Sequence, residues 1–232
     1  FAMTECSRRR FEFGRHGARE VVASFDGGTM SSDGGAPLLG QVDRRLRLVE
    51  RLAECFRDER DPRLVTHRLR ELLAQRVYAI ALGYEDLNDH EQLRHDPLLG
   101  VLVGKGAAGA APLAGKSTLN RLELSAGCST RYQKIHYRRR AMDALLVDVF
   151  LEAHERAPEQ IVIDLDTTDL ALHGHQEGRF FHGYYDEYCY LPLYIFCGDH
   201  LLAAKLRRAN IDASAGAVEE VARIVAQVRE RW

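Results

Sequence analysis

Apolar residues recur at steps of three and four along the first two thirds of the chain, which predicts amphipathic helices. The clearest stripe runs from Leu39 to Phe56, and a second helix is expected to begin at Asp61-Pro62 and to end near Gly83. Further helices are predicted over 86–104 with a break at Pro97, over 117–124, and over about 131–156. The first ~35 residues show no such period and are expected to be irregular.

The period changes from about 3.6 to 2 after Pro158. Residues 161–166 begin with three β-branched residues and then alternate between apolar and acidic side chains, which predicts a strand. The apolar runs at 191–197 and 201–206 flank Gly198-Asp199 and predict a hairpin, and a last helix is expected near the end of the chain. Residues 167–187 are polar and are expected to be irregular. The predicted fold class is α+β, with an arm at 1–36, a helical DNA-binding or oligomerisation region at 37–158 and a catalytic region at 159–232.

Composition narrows the class of protein. The 232 residues carry 32 Lys+Arg and 34 Asp+Glu, and a net charge of −2 excludes a uniformly polycationic nucleic-acid binder but not a locally basic face. An apolar fraction of 46% excludes wholesale disorder. The 5 cysteines are scattered without a C-x-x-C pair, which favours reduced thiols in the cytoplasm. No apolar window is long enough to span a membrane.

The strand end at 164–168 is the strongest candidate for chemistry. Side chains alternate along a strand, so Asp164 and Asp166 should share one face. Buried or clustered carboxylates are costly unless they are paired or bind a cation, and their hard oxygens suit Mg²⁺ or Mn²⁺. The alternative is a strand end where Asp and Thr only cap a turn.

Two other motifs are weaker. His173, His175, Glu177 and His182 include zinc-ligand residue types, but their spacing fits no helical i, i+4 arrangement and favours a solvated loop. Residues 115–118 end like a phosphate-binding loop, but Ala110 stands where that motif requires glycine, so ATP binding is rejected. Lys116, Thr118 and Arg121 would instead begin a helix that could meet DNA phosphates.

A basic cluster follows, in which aromatic residues interleave with cations that could track a phosphate backbone. The cations are Arg131, Lys134, Arg138, Arg139 and Arg140. The alternative is an ordinary solvated helix face. An aromatic run at 180–190 could stack on unpaired bases, although such runs more often pack a loop onto a sheet.

Several blocks together resemble the DDE-type insertion-sequence transposases, in particular the group numbered thirteen-eighty. They are IVIDLDTTD at 161–169, HGHQEG at 173–178, FHGYY at 181–185, CYLPLY at 189–194, ALGYEDLN at 81–88 and KSTLNRLE at 116–123. The resemblance implies the first half of a ribonuclease-H-like α/β core from about residue 159, with three strands and one helix. It implies Asp166 as a ligand of catalytic Mg²⁺ (or Mn²⁺), with Asp164 the weaker candidate.

The same resemblance implies the partners and a limit on activity. The expected partner is double-stranded DNA at the terminal inverted repeats, in the bacterial cytoplasm near the nucleoid, with a homodimer as an option. The family places its second Asp and its Glu beyond the last residue of this chain. The catalytic core is therefore expected to be incomplete, to bind Mg²⁺ weakly and to be unable to cut or join DNA alone.

Two alternatives remain open. Asp164-Leu-Asp166-Thr-Thr168 also matches the strand-end motif of haloacid-dehalogenase-like phosphatases, with Asp164 as nucleophile, Asp166 as general acid and Mg²⁺ as cofactor. The upstream helical region has no place in that family. The other alternative is a non-catalytic fragment that binds DNA or dimerises.

Overall fold

The computed structural model describes residues 31–105, 111–124 and 132–232, together with the backbone of two strands at 10–16 and 19–24. Contacts divide the chain into two compact units. The first unit comprises Phe1–Ala53 and Asp58–His136, and the second comprises Glu54–Arg57 and Tyr137–Trp232. Each unit is described separately below.

The N-terminal segment contains strands where an irregular arm was expected. Strand β1 (Arg10–His16) pairs antiparallel with β2 (Arg19–Ser24), with Phe13 opposite Val21. The expectation of an irregular arm was therefore wrong in this segment. The alternation of apolar and polar residues in Phe11-Glu12-Phe13 is too short to be distinguished from noise in a single sequence.

Helices make up most of the rest of the first unit. They are α1 (Ala36–Leu46), α2 (Leu48–Glu54), α3 (Leu69–Ala81), α4 (His90–Leu93), α5 (Pro97–Val103) and α6 (Lys116–Glu123). The stripe from 39 to 56 is two helices and not one, because Arg47 adopts a left-handed φ of 52° between them. The Asp43 carboxylate accepts a hydrogen bond from the Val49 amide (2.8 Å) and so restarts the helix.

The core of the first unit forms around α3. Its fully or almost fully buried apolar residues include Leu72, Leu73, Ala74, Ala79, Leu99, Val103, Leu119 and Leu122. Gly40 of α1 lies so close to α5 that a Cβ there would be 2.8 Å from Leu102 Cδ2. A glycine at this position therefore lets the two helices approach each other.

The second unit contains two three-stranded antiparallel sheets and two helices. Its elements are α7 (Arg139–Glu152), β5 (Asp164–Thr167), β6 (Leu170–Ala171), β7 (Phe180–His182), β8 (Glu187–Tyr190), β9 (Leu193–Cys197), β10 (His200–Lys205) and α8 (Ala217–Arg231). One sheet has the order β10-β9-β5 and the other β6-β8-β7. Side chains of α7 and α8 pack on the first sheet around Phe150, Ile195, Leu202 and Ile224, all at most 1% exposed.

Two expectations need correction here. The helix predicted over 131–156 begins only at Arg139, because residues Ile135–Tyr137 form strand β4, which pairs with β3 (Phe56–Asp58). The segment 167–187 is not irregular, since it contributes β6 and β7 to the second sheet.

Candidate active site

The two candidate metal ligands lie on β5, an outer strand of the β10-β9-β5 sheet. Asp164 is opposite Phe196 and Asp166 is opposite Tyr194 on β9. Directly paired residues share a face, so both carboxylates lie on the face that carries the two aromatic rings. Leu165 lies on the opposite face, where it pairs with the buried Ile195 and is itself 44% exposed. Both aspartates are exposed to solvent.

Arg207 fixes the end of β5 beside Asp166. Its guanidinium donates to Thr167 Oγ1 (3.2 Å) and to the carbonyl of Leu191 (2.9 Å) and that of Ala215 (2.6 Å). Burial lowers the pKa of Arg207 from its usual value. Thr167 Oγ1 in turn donates to the Ala213 carbonyl (3.0 Å), so the strand end is joined to the segment that leads into α8. Sequence reasoning missed Arg207, which follows the hairpin with no motif around it.

A carboxyl pair lies just beyond the strand. A hydrogen bond with the Asp169 carboxyl, reinforced by partial burial and the Asp169 charge, raises the pKa of Glu187. Partial burial and the charges of Asp169 and Asp166, among others, raise the pKa of Tyr185. Burial, with Asp169 and Glu187, raises the pKa of the Cys189 thiol. Negative charge is therefore concentrated between β5 and the β6-β8-β7 sheet.

The residues of the site can be compared with the ligands that Mg²⁺ requires. Carboxylate oxygens are the ligands that Mg²⁺ prefers. Within the described ranges, however, no group of three or more His, Cys, Asp or Glu side chains is placed to hold a metal ion. Asp164 and Asp166 match Mg²⁺ in kind. His175 Nδ1 accepts a hydrogen bond from Arg179 (2.9 Å), a contact consistent with the solvated loop predicted for this segment.

Comparison with known families decides the identity. The family model described as Transposase DDE domain group 1 matches residues 13–232. The chain belongs to this transposase family. No curated protein and no solved structure matches it. Membership implies DNA binding and, for DDE transposases in general, the use of Mg²⁺. Across the part of the chain that the structure describes, no helix is long and apolar enough to cross a membrane.

The first DNA-contact candidates of this transposase lie on α6. Lys116 and Arg121 are exposed and Thr118 is half-buried. The Lys116 amide donates to Glu91 Oε1 (2.9 Å), and Lys116 Nζ donates to Asn88 Oδ1 (3.1 Å). Glu91 therefore occupies the start of α6, so any phosphate contact here would come from side chains and not from the helix N-terminus.

The second set of candidates is divided between the two units of the transposase. Lys134 is exposed in the first unit, next to β4, while Arg138, Arg139 and Arg140 are exposed at the start of α7 in the second. Arg131 lies outside the described residues. The first turn of α7 has no acidic residue and no side-chain cap. Cations at a helix N-terminus are unfavourable, and an anion bound there would relieve the repulsion.

Proposed function

We propose that this chain is the transposase of an insertion sequence of the group numbered thirteen-eighty, and that it binds the terminal inverted repeats of that element. The observation that carries the proposal is the family match over 13–232. The second unit supports a ribonuclease-H-like core, because three antiparallel strands in the order β10-β9-β5 precede α8, and Asp166 stands on the first of them in the chain. We expect it to act at DNA in the bacterial cytoplasm.

Asp166, directly followed by Thr167, is assigned as the principal metal ligand and Asp164 as the secondary one. Mg²⁺ or Mn²⁺ bound in such a site would activate the attacking oxygen and stabilise the leaving oxygen of phosphoryl transfer. Two exposed carboxylates hold a divalent cation weakly. We therefore propose that this polypeptide neither cuts nor joins DNA alone. Strand transfer on inverted-repeat DNA by this chain with Mg²⁺ would contradict that.

The proposed DNA contacts are made to phosphates. Arg139 and Arg140 project from an uncapped helix start, and Lys116 and Arg121 project from α6. Phosphate contacts position a protein and give salt-dependent affinity without reading the base sequence. Thr118, Arg131, Lys134 and Arg138 complete the proposed set.

Fluorescence anisotropy on labelled duplex DNA over a range of salt concentrations tests this function. We expect the binding constant to fall steeply with salt, and the Arg139→Gln/Arg140→Gln variant to reduce the log–log slope by about 2. Arg47→Gln is the matched control, because Arg47 is an exposed arginine (65%) that is already paired with Glu50. Absence of duplex binding, or an equal effect of the control, would refute the proposal.

The metal assignment is tested by titration with Mn²⁺, followed by water-proton relaxation. We expect weak binding that is lost in Asp166→Asn and reduced in Asp164→Asn. Asp199→Asn serves as a control, because Asp199 is an exposed aspartate in the β9–β10 turn. Equal binding by the wild type and Asp166→Asn would remove Asp166 from the site.

Two other functions remain as candidates. A non-catalytic DNA-binding or dimerising fragment is compatible with the same contacts and predicts duplex binding without strand transfer. A haloacid-dehalogenase-like phosphatase predicts turnover of p-nitrophenyl phosphate with Mg²⁺. The family match favours the transposase over the phosphatase.

A further inference from the structure

The β6-β8-β7 sheet has one covered face and one exposed face. Phe180 pairs with Cys189, which is fully buried against Leu191 and Ala209. Phe181 pairs with Tyr188 on the opposite face, where their side chains are 52% and 47% exposed. The exposed face therefore consists of aromatic rings that contribute nothing to the core beneath them.

The exposed face continues across the third strand. Leu170 pairs with Tyr190, which alternation puts on the same face as Tyr188, and Leu170 is 47% exposed. None of these four strand positions is acidic. Glu187 alternates to the covered face, on the side where it meets Asp169. The strand residues on this face are thus apolar or aromatic, and none of them carries a carboxylate.

One cation is fixed against this face. The Arg179 guanidinium carbon lies 4.5 Å from the centroid of the Tyr188 ring, a cation–π contact. The same guanidinium donates to the Gly174 carbonyl and to His175 Nδ1. The Phe181 and Tyr188 rings meet edge to face, with centroids 5.6 Å apart at 72°. These contacts hold the two rings and the cation against one another.

We propose that this face binds unpaired nucleobases of the transposon DNA, which stack on Phe181 and on the Arg179 guanidinium that covers the Tyr188 ring. The inference rests on the proposed function, since it takes DNA as the partner. Aromatic residues on an exposed sheet face, combined with a nearby cation, are a general means of binding single strands. Every base has a π-face, so this binding tolerates sequence, whereas bases within a duplex are already stacked on their neighbours.

The test compares a blunt duplex with the same duplex carrying a short single-stranded extension that contains 2-aminopurine. We expect the extension to increase affinity by roughly ten-fold and to quench the 2-aminopurine fluorescence on stacking. Tyr188→Ala and Phe181→Ala should abolish both effects and leave blunt-duplex binding unchanged. Tyr188→Phe and Phe181→Trp should retain them, because each keeps an aromatic ring. Leu64→Ala is a control at an exposed apolar residue (81%) of the first unit that lies outside the proposed DNA contacts.

The outcomes separate the two proposals. If the chain does not bind even the blunt duplex, the proposed function fails. If the blunt duplex binds and the extension adds nothing, only the present inference fails. A third outcome is self-association in sedimentation that depends on Phe181 and Tyr188, together with an unchanged preference for the extension in Phe181→Ala and Tyr188→Ala. The face would then be an interface between copies of the chain, and the inference would be overturned.

Discussion

At the scale of single residues, the side-chain amide of Gln75 determines the tautomer of His90. Gln75 Oε1 accepts from the Ala114 amide (3.0 Å) and Gln75 Nε2 donates to the Ala114 carbonyl (2.8 Å), so the orientation of the side-chain amide is fixed. The second Nε2 hydrogen points to His90 Nδ1 (3.0 Å), which must accept it. His90 is therefore the neutral tautomer with its proton on Nε2, an atom that is buried without a partner among the described residues.

This arrangement makes the first unit sensitive to acid. Burial, with the nearby Arg76 charge, lowers the pKa of His90 from 6.5 to about 4. Between pH 4 and pH 6.5, the unfolded chain therefore binds a proton at this histidine that the folded chain does not bind. The contribution of His90 to stability is full above pH 6.5 and falls as the pH drops toward 4. We expect this residue to remove up to roughly 3 kcal/mol from the free energy of unfolding across that window.

Urea unfolding followed by far-UV circular dichroism measures the effect. The slope of unfolding free energy against pH should become smaller in His90→Gln, which cannot titrate, whatever the absolute stability of that variant. Leu64→Ala alters an exposed side chain of the first unit that cannot titrate and should retain the wild-type slope. An unchanged slope in His90→Gln would show that His90 does not titrate in this way.

At the scale of elements, a buried charge network joins β10, α7 and α8. Lys205 Nζ donates to Asp143 on α7 and contacts Glu220 Oε1 on α8 (2.9 Å), and Lys205 itself is only 6% exposed. Burial alone would raise the pKa of Glu220, but hydrogen bonds from Lys205 and Arg223 lower it. The two helices are thus joined to the sheet by one cation between two carboxylates.

Removing that cation should be costly. Lys205→Met leaves Asp143 buried without its partner cation, and breaking a buried pair costs about 3–5 kcal/mol. Thermal or urea unfolding of the second unit should show a loss of that size. Lys205→Met/Asp143→Leu should recover much of it, because it no longer leaves Asp143 as an unpaired buried carboxylate. Lys116→Met, at an exposed lysine, should change stability by less than about 0.5 kcal/mol. A small loss in Lys205→Met would mean that water replaces the cation.

The elements also show which parts of the fold can be predicted from the sequence. The hairpin β9–β10, the break before α5 at Pro97 and the helix α8 were predictable, since each depends on local period and turn residues. Strands β6, β7 and β8 were missed because each is at most four residues long and is stabilised only by its partners. The face shared by Asp164 and Asp166 follows from alternation, whereas Arg207 and the Asp169–Glu187 pair depend on contacts between distant segments.

At the scale of the whole molecule, each unit has a buried core of its own. Leu72 is fully buried in the first unit, and Phe150 (1% exposed) lies in the core of the second. The single tryptophan of the chain, Trp232, belongs to the second unit, where its ring lies 6.0 Å from that of Phe150 and 6.0 Å from that of His154. Tryptophan fluorescence therefore reports the second unit, while circular dichroism reports the helices of both.

Two units with separate cores should unfold in two transitions that respond to different substitutions. Leu72→Ala creates a cavity worth about 2–5 kcal/mol in the first unit, so it should lower the dichroism transition and leave the fluorescence midpoint in urea unchanged. Lys205→Met should lower the fluorescence midpoint, and combining the two substitutions should give the sum of their separate effects, because sites without shared partners are additive. If Leu72→Ala shifts both probes equally, the two units unfold as one cooperative structure, and the division seen in the contacts has no thermodynamic counterpart.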